Sequence, residues 1–504
     1  MMKRWMVIVM VIGVVGFAWA QNPQAQASPE KPKLSLSLSG FYEFNGYTQN
    51  NFFFGARPSG LVTDHDDYAI QLLRLQSELA YGPNVKAVMR VDYAQGIWGI
   101  DDQYRDNFRP GFSNLYNNKD TNSTVHVDWA YVEFNAAKLG NTTFRIGRMK
   151  NALGNLLVLD QDGDSVQVSK KLGNWAATFN WTKMYEGADS LTDNAVGATN
   201  GKDADLFYVN FAGKVGNFDL QPYLAYYTDR GYRDNTTYLP NELQYFNARF
   251  RPNITTAQVA GLAFNGKVGN LSLKGEVDYL WGKDKVRNTN SGPNQLLDVN
   301  NGDLEGYNLY LDAKLPVGKT TLGAVFGMGS GDDDPMSGKG NINKIRTNGF
   351  FYVTEIWEDS IMPDEEGITP QGLGSPASRG YRELENTTLL QLNATFPLRQ
   401  DLKLFISGTY VRATEALHPW ADLNRNGVID PGEFGAASSR DLGKEIDFKL
   451  DWTVMDNLVW TLRGGYFWPG DAALYLVNGN KLHDKNAWEL RTQLTFTFGG
   501  LKVM

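Results

Sequence analysis

Apolar and polar residues alternate along most of the chain, in segments of about ten residues that turn-forming residues separate. The pattern is clearest near the C-terminus, over residues 488–498, and it recurs over 34–45, 446–454 and 458–468. Successive side chains of a β-strand point to opposite faces, so each segment predicts a strand with one apolar and one polar face. The polar faces carry acidic and basic residues, which favours a water-filled barrel lumen over the core of a soluble β-sandwich.

The connections between these segments are of two kinds, short and long. Four short ones share the pattern Lys-Leu/Val-Gly-Asn, at 138–141, 171–174, 214–217 and 267–270. Glycine allows a positive φ and asparagine tolerates the left-handed region, so each predicts a tight hairpin turn. Four further short turns are predicted near 82–84, 316–318, 399–401 and 456–457.

Longer connections, rich in Asp, Asn, Gly and Pro, alternate with the short turns. They are predicted over 50–67, 96–123, 150–164, 185–203, 229–254, 282–304, 330–385, 412–442 and 468–486. Eight short and nine long connections join 18 strands. The N-terminus and the C-terminus of the chain then both lie on the side of the short turns, as in bacterial outer-membrane barrels. The predicted fold is all-β, a transmembrane antiparallel β-barrel over 34–498 with a C-terminal extension at 499–504. Sixteen strands remain the alternative, in which 164–170 is not a strand.

The N-terminus has the pattern of a signal peptide. Lys3 and Arg4 precede an apolar run from Trp5, which ends in Ala18-Trp19-Ala20. This run is shorter than the roughly 20 residues that a membrane-spanning helix needs, and its end fits a cleavage site. We therefore expect residues 1–20 to be a cleaved signal peptide, 21–33 a flexible periplasmic lead-in, and the protein to lie in the outer membrane in contact with its lipid.

The composition narrows the function further. The formal net charge of −8 does not favour a nucleic-acid partner, and the absence of cysteine excludes disulfides and thiolate metal sites. The four histidines lie in no recognisable nucleophile motif, so the sequence predicts no enzyme, and an outer-membrane hydrolase is the least favoured alternative.

Several short motifs occur together in the chain. The segments AYVEF at 130–134, FRIGR at 144–148, DQDGD at 160–164 and WTKMYEG at 181–187 are followed by GMGSGDDDP at 327–335. In order and spacing they resemble the alginate-export family of bacterial outer-membrane porins. The resemblance implies an 18-stranded barrel that conducts an anionic polysaccharide or other small solutes.

The polar faces supply candidate pore-lining residues of both signs. They are Arg74, Arg90, Arg145, Arg463, Arg491, Asp447, Asp451 and Glu489. One interpretation is that such residues pair across adjacent strands and give mild selectivity; the other is a dedicated ladder for anions. The predicted function is a porin-type channel for passive passage of small solutes or an anionic polysaccharide. The alternative is a non-conducting receptor or adhesin, because the apolar segment 350–357 inside loop 330–385 could fold inward as a constriction or cap.

One long loop contains a complete calcium-loop motif. Residues 422–433 match D-x-[DN]-x-[DN]-G-x₅-E at every specified position. In this pattern the ligands are Asp422, Asn424, Asn426, the carbonyl of Val428, Asp430 through water, and Glu433. The sequence therefore predicts a structural Ca²⁺ site in an extracellular loop, whereas the run at 160–164 lacks the closing Glu and is expected to be solvated. The oligomeric state is left open.

Overall fold

A computed structural model describes residues 33–56, 63–98, 125–185, 203–229, 252–286, 302–331, 353–357, 384, 386–421, 423 and 431–503. The proposed signal peptide and almost all of the lead-in lie outside the described residues. The strands are β1 Leu34–Asn50, β2 His65–Tyr81, β3 Val85–Ile97, β4 Val125–Ala136, β5 Thr142–Leu153, β6 Leu159–Leu172, β7 Trp175–Tyr185, β8 Ala204–Val215, β9 Phe218–Asp229, β10 Pro252–Val268, β11 Leu271–Val286, β12 Gly302–Val317, β13 Thr320–Gly329, β14 Thr387–Pro397, β15 Leu402–Leu417, β16 Ser439–Met455, β17 Leu458–Pro469 and β18 Ala487–Val503.

These strands form one closed antiparallel barrel. Each strand pairs with its neighbours in the chain, and β1 pairs with both β2 and β18, which closes the sheet. The prediction of 18 strands is confirmed within the described residues. The sixteen-strand alternative is wrong, because 164–170 lies inside β6 and pairs with both β5 and β7.

The eight short turns occur where the sequence predicted them. Gly140 and Asn141 both have left-handed backbones, with φ of 68° and 57°, after a short 3₁₀ turn at Ala137–Leu139. Gly173 has φ of 63° in the turn between β6 and β7. A side chain with a Cβ is strained at such angles, which explains the recurring glycine.

Several boundaries differ from the sequence predictions, and two of these differences change the description of the fold. The connection predicted over 150–164 is wrong as a long loop, because β5 and β6 are joined by residues 154–158 alone. Its aspartates give this stretch the composition of a loop, but they lie on β6 and are themselves paired with residues of β5. The C-terminal boundary at 498 also differs, because β18 continues to Val503, which pairs with Leu36 beyond an irregularity in the register next to Gly499.

The two faces of the sheet differ in polarity. On β14, Leu390 and Leu392 are 51% and 64% exposed on the outside, whereas Gln391 between them is buried inside the barrel. On β16, Ile446 is exposed and Glu445 is buried in the same way. An even-stranded closed barrel with an apolar outer surface and a polar interior is the architecture of bacterial outer-membrane proteins.

The end of the barrel opposite the short turns carries inward-folded connections. Helix α1, Asp471–Asn478, lies between β17 and β18, with Ala472 to Val477 all buried. It belongs to an apolar cluster that also contains Phe52–Phe54 from the β1–β2 connection and Ile356 and Trp357 from the β13–β14 connection. Among the described residues, no helix is both long and apolar enough to cross a membrane.

Candidate functional site

The most unusual feature of the lumen is a hairpin that leaves the barrel wall. The β4–β5 pairing ends at Ala130 and Arg148, and the β6–β7 pairing ends at Asp164 and Lys183. The β5–β6 pairing nevertheless continues to the end of both strands. Residues 149–163 therefore pair only with each other, and we call them the inner hairpin.

One face of the inner hairpin is buried against the inside of the wall. Leu153 and Leu159 are 0% and 4% exposed, and they pack with Leu206, Tyr208 and other interior residues of β8 to β12. Because this contact is apolar and tight, it excludes water from that side of the barrel.

A polar network at the base of the inner hairpin extends the same contact. The Asn151 side chain donates to the Ser165 hydroxyl at 3.1 Å, and that hydroxyl lies 2.9 Å from the Thr182 hydroxyl on β7. Asn151 and Thr182 are fully buried. Their hydrogen bonds offset the cost of removing them from water, so the network fixes the angle at which the hairpin leaves the wall.

The opposite face of the inner hairpin is charged. Lys150 pairs with Asp160 at 2.7 Å, and their side chains are 40% and 11% exposed. Asp162 accepts a hydrogen bond of 2.8 Å from the Trp129 indole and lies 3.9 Å from Arg90. This face is therefore turned toward β3 and β4.

The tip of the inner hairpin is attached to β11. The Asn155 amide donates to the carboxylate of Glu276, and the Asn155 side chain donates to the Gly275 carbonyl at 2.8 Å. Glu276 is fully buried and also accepts a hydrogen bond of 2.7 Å from Tyr223. Because β11 is not a neighbour of β5 or β6, the hairpin reaches across the interior rather than folding back on its own strands.

A second element inside the lumen is the segment Val353–Trp357. The backbone amides of Ile356 and Trp357 donate to the two oxygens of Glu445 at 2.6 and 3.0 Å. Gln391 donates to the Val353 carbonyl at 2.8 Å. Both acceptor and donor lie on the interior face of the wall. The suggestion that part of loop 330–385 folds inward is thus confirmed for these five residues.

The side chains of this segment strengthen its attachment. Trp357 stacks on Phe467 with ring centroids 5.3 Å apart, and Trp357 is fully buried. Glu355 forms an ion pair with Arg463 on β17. Leu157 from the inner hairpin belongs to the same apolar cluster, so the two inner elements are connected.

All eight candidate pore-lining residues project from the interior face, but most are engaged by other side chains. Arg74 binds Asp92 at 2.6 Å and Asp128 at 3.3 Å, and Arg90 also pairs with Asp128. Asp128 occupies an irregularity in the register of β3 and β4, next to the Trp129–Arg90 pair, which lets its carboxylate reach both arginines.

The other candidates have similar partners. Arg145 pairs with Glu133, and Arg463 with Glu355. The remaining contacts are Arg491 with Asn45 at 3.1 Å, Asp447 with Ser407 at 3.1 Å, Asp451 with Thr461 at 2.7 Å, and Glu489 with Gln49 at 2.6 Å. Such contacts agree with the interpretation in which wall charges pair across strands.

Within the predicted calcium loop, only Leu423 and residues 431–433 are described. Asp422, Asn424, Asn426, Val428 and Asp430 lie outside the described residues, so calcium binding stays a prediction. Glu433 accepts a hydrogen bond of 2.8 Å from the Leu423 amide. Within the described part of the chain, no group of three or more acidic, histidine or cysteine side chains is arranged to hold a metal ion.

Sequence reasoning missed the charged face of the inner hairpin and its anchor. Lys150, Asp160 and Asp162 lie in a segment for which the sequence predicted a long loop, and Glu276 is not among the candidate pore-lining residues that the sequence indicated. A signal was present, because Leu153 and Leu159 lie only six positions apart and the aspartates at 160 and 162 share one strand face. Nothing in that pattern distinguishes a hairpin in the wall from one inside the lumen.

Comparisons with known proteins give structural similarity only. No protein-family model matches the chain, and no curated protein matches it. The solved structure of the outer membrane protein OpdK from Pseudomonas aeruginosa is 10% identical, with a TM-score of 0.46, covering 93% of this chain and 99% of that one. A BenF-like porin from Pseudomonas fluorescens Pf-5 is 10% identical, with a TM-score of 0.49, covering 92% and 99%. Similarity of this degree carries no argument about function.

Proposed function

We propose that this chain is an outer-membrane channel for the passive passage of small solutes. The observation that supports the proposal is the closed 18-stranded barrel, with an apolar exterior and an interior lined by charged and polar side chains. Barrels of 16 to 18 strands are wide enough to leave an aqueous channel. Here the inner hairpin and the segment Val353–Trp357 reduce that channel, which favours small solutes over large ones.

Passage of an anionic polysaccharide is the finer possibility that the sequence resemblance raised. A polymer of carboxylated sugars needs a series of basic side chains that can bind it in turn. Arg74, Arg90 and Arg145 are instead bound to wall carboxylates. Each would have to exchange a carboxylate that is already in place, so this arrangement supports small solutes as the cargo.

Bilayer recording of the purified, refolded full-length barrel tests the channel function. We expect stepwise conductance from single molecules, and swelling of proteoliposomes in small sugars that declines as the sugar becomes larger. Alginate oligomers added to one side should leave the current unchanged; a concentration-dependent block by them would favour the polysaccharide instead. Heat-denatured protein, which migrates differently on electrophoresis, is the control for folding.

A non-conducting receptor or adhesin is the second candidate, because inward-folded elements pack together in one apolar cluster within the lumen. A folded barrel that is silent in bilayers, and stays silent when Val353–Trp357 is replaced by a short glycine linker, would favour this candidate.

N-terminal sequencing of the protein recovered from outer membranes tests the predicted cleavage of residues 1–20. Gln21 is expected as the first residue.

A further inference from the structure

The four short turns that share the pattern Lys-Leu/Val-Gly-Asn contain a lysine that the turn itself does not require. The glycine supplies the left-handed backbone, with φ between 59° and 68° in the four turns, and the asparagine tolerates the position beside it. A lysine at the first position adds nothing to this geometry. Its recurrence as Lys138, Lys171, Lys214 and Lys267 therefore points to a role outside the turn.

These lysines lie on neighbouring turns along one side of the barrel rim. The strands pair in chain order, so the five short turns from β4–β5 to β12–β13 follow one another around the barrel. Each of the five contains a lysine and none contains an acid, over residues 137–141, 170–174, 213–217, 266–270 and 315–319. We call this row of turns the lysine arc.

The other three short turns carry no excess of positive charge. Residues 80–84 are uncharged, and residues 453–457 contain the acid Asp456 and no base. In residues 397–401, Arg399 is bound to Asp401 at 2.9 Å. The positive charge of the short turns is therefore confined to one part of the rim.

The lysine arc differs from the lumen in that its charges are not compensated. Lys138, Lys171, Lys214, Lys267 and Lys319 are exposed, and none of them forms an ion pair with an acid in the part of the chain that the structure describes. Asp219 is the register partner of Lys214, but the two side chains do not form an ion pair either. In the lumen, by contrast, the candidate arginines are bound to wall carboxylates. The arc is thus a surface with free positive charge.

Most of the arc faces the periplasm and the barrel mouth rather than the membrane. The apolar residue after the lysine is 50%, 54% and 58% exposed on the outer face in Leu172, Val215 and Val268. Side chains alternate along a strand, so the lysine one position earlier points away from the lipid in each case. Short turns lie on the periplasmic side of bacterial barrels. A ligand of the arc therefore comes from the periplasm, and lipid headgroups are disfavoured.

The spacing of the arc fits an extended peptide. Neighbouring strands lie about 4.8 Å apart and are tilted by about 40° in such barrels, so successive hairpins repeat at about 12–13 Å along the rim. An extended chain rises about 3.3 Å per residue, so residues i and i+4 lie about 13 Å apart on the same face. A polyuronate instead carries a carboxylate on every sugar, which is a denser row of charge than the row of lysines.

The asparagines of the shared pattern suit a peptide as well. They are exposed beside the lysines, as Asn141, Asn174, Asn217 and Asn270. A carboxamide has both donors and an acceptor, as a peptide unit has, so each turn offers an ammonium to a carboxylate and a carboxamide to the backbone.

We propose that the lysine arc is a docking surface for an extended, acidic segment of a periplasmic protein, with an Asp or Glu at about every fourth position. The five turns span four intervals, so about 16 residues of such a segment cover the arc. Lysine suits this contact because its ammonium is a point charge on a flexible stem and requires no fixed orientation of the carboxylate. The partner lies along one side of the periplasmic mouth and leaves the other side open.

Fluorescence anisotropy with labelled synthetic peptides tests the proposal on the purified, refolded full-length barrel. The probe consists of five Glu-Ser-Thr-Ser repeats, and the control peptide has the same composition with its Glu residues together at one end. The clustered peptide reaches fewer turns, and each exposed ion pair contributes about a factor of two to affinity, so we expect it to bind about eightfold more weakly. Added NaCl should weaken binding of the spaced peptide, because exposed charges are screened by salt.

A triple variant tests the lysines themselves. Lys171→Gln combined with Lys214→Gln and Lys267→Gln should raise the Kd of the spaced peptide about eightfold, by the same factor for each ion pair. The matched control neutralises three exposed lysines at the opposite end of the barrel, Lys283→Gln, Lys444→Gln and Lys481→Gln, and should keep the wild-type Kd. Heat-dependent electrophoretic mobility confirms that both variants are folded.

A dye at a single cysteine shows where the peptide binds, because the natural chain has no cysteine. In Asn217→Cys the dye lies within the lysine arc, and its emission should change when the spaced peptide is added. In Asn457→Cys the dye lies in the turn between β16 and β17, outside the arc, and its emission should stay constant.

Several outcomes would overturn the proposal. These are equal binding of the spaced and clustered peptides, equal Kd values for the two triple variants, and equal changes in emission at positions 217 and 457. Tighter binding of oligogalacturonate than of the spaced peptide would assign the arc to an acidic glycan instead. Phosphatidylglycerol that copurifies with wild type but not with the variant lacking three arc lysines, without peptide binding, would assign it to lipid. Conductance is not measured in these experiments, so a failure of the proposed channel function would leave their results unchanged.

Discussion

The backbone amide of Asn155, at the tip of the inner hairpin, donates a hydrogen bond to the buried carboxylate of Glu276 on β11. This contact joins strands that are five positions apart in the order of the sheet. It places the end of the hairpin against β11, and the Asn155 side chain adds a bond to the neighbouring Gly275 carbonyl. The position of the inner hairpin thus depends on a few polar atoms at its tip as well as on its apolar face.

Replacing Glu276 by alanine should loosen the inner hairpin. The Asn155 amide would lose its acceptor in a buried position, at a cost of about 1–3 kcal/mol. We expect a larger and noisier single-channel current, while Glu276→Gln, which keeps an acceptor oxygen, should stay close to wild type. Gly154→Ala should resemble Glu276→Ala, because Gly154 has φ of 57° and an added Cβ would lie 2.4 Å from a Glu276 oxygen. If Glu276→Ala and Gly154→Ala both gave currents with the amplitude and noise of wild type, the role of Glu276 as an anchor would be contradicted.

Replacing Glu445 should release the segment Val353–Trp357. The two amides that Glu445 binds would be left without an acceptor, and the segment would keep only its apolar packing, the Glu355–Arg463 ion pair and the Gln391–Val353 hydrogen bond. We expect faster hydrogen–deuterium exchange in a peptide covering 353–357 for Glu445→Ala, with unchanged exchange in the inner hairpin. Glu305→Ala is the control, because Glu305 contacts Tyr279 on the exposed outer face. Equal exchange in the two variants would exclude Glu445 as the anchor.

The sequence was informative where structure depends on neighbours in the chain. Strand number and turn positions could be predicted because alternation and Gly-Asn turns are local signals that recur. The inner hairpin could not, because Leu153 and Leu159 alternate with polar residues whether they face lipid, water or β8. Its departure from the wall is decided by packing against residues that are distant in the chain, such as Leu206 and Tyr223. For the same reason the candidate arginines were identified, but their bound partners were not.

The β1–β2 connection should show a pH dependence that originates at Asp64. Its carboxylate accepts hydrogen bonds from the amides of Phe53 at 3.1 Å and Gly55 at 2.7 Å. Burial raises the pKa of this carboxyl above the usual 3.8, against the opposing effects of those amides, of the Phe52 amide and of Lys485. The folded state therefore holds the proton more tightly than the unfolded state does.

For such a group, the contribution to stability is complete below pH 3.8 and decreases as the pH rises through the higher folded pKa. We expect the unfolding temperature of wild type, measured relative to Asp64→Asn in the same detergent, to fall as the pH rises above 3.8. A pH-independent difference would contradict this assignment.

A carboxyl with the opposite shift provides the control. Arg399 binds Asp401 in a short turn at 2.9 and 3.0 Å, and this hydrogen bonding lowers the pKa of Asp401 from 3.8. Its contribution is present above pH 3.8 and is lost as the pH falls through the lower folded pKa. The difference between wild type and Asp401→Asn should therefore increase as the pH rises toward 3.8, opposite in direction to that of Asp64→Asn.

Calcium should bind the loop at 422–433 if the motif functions as its residues predict. Its ligands include two carboxamides among the first three side chains, which reduces the negative charge at the ion relative to a loop with aspartate at all three positions. We expect a Kd of about 10⁻⁴–10⁻³ M, in the range of extracellular calcium modules. Isothermal titration of the purified barrel with Ca²⁺ gives the affinity, and limited proteolysis with and without Ca²⁺ reports whether the loop becomes protected.

Two variants distinguish this loop from other acidic positions on the protein. Asp422→Ala combined with Glu433→Gln removes the first and last ligands of the motif, and should abolish both the heat of binding and the protection from protease. Asp471→Ala is the matched control, because Asp471 is an exposed acid at the start of α1 that pairs with Lys481 at 2.9 Å outside the motif. The Asp471→Ala variant should retain wild-type affinity for Ca²⁺.

Mg²⁺ is smaller than Ca²⁺, requires octahedral geometry and releases its waters reluctantly. It should therefore bind the wild-type loop more weakly than Ca²⁺ does. Binding that survives in the double variant would place the ion elsewhere, and the absence of any heat in wild type at millimolar Ca²⁺ would remove the site altogether.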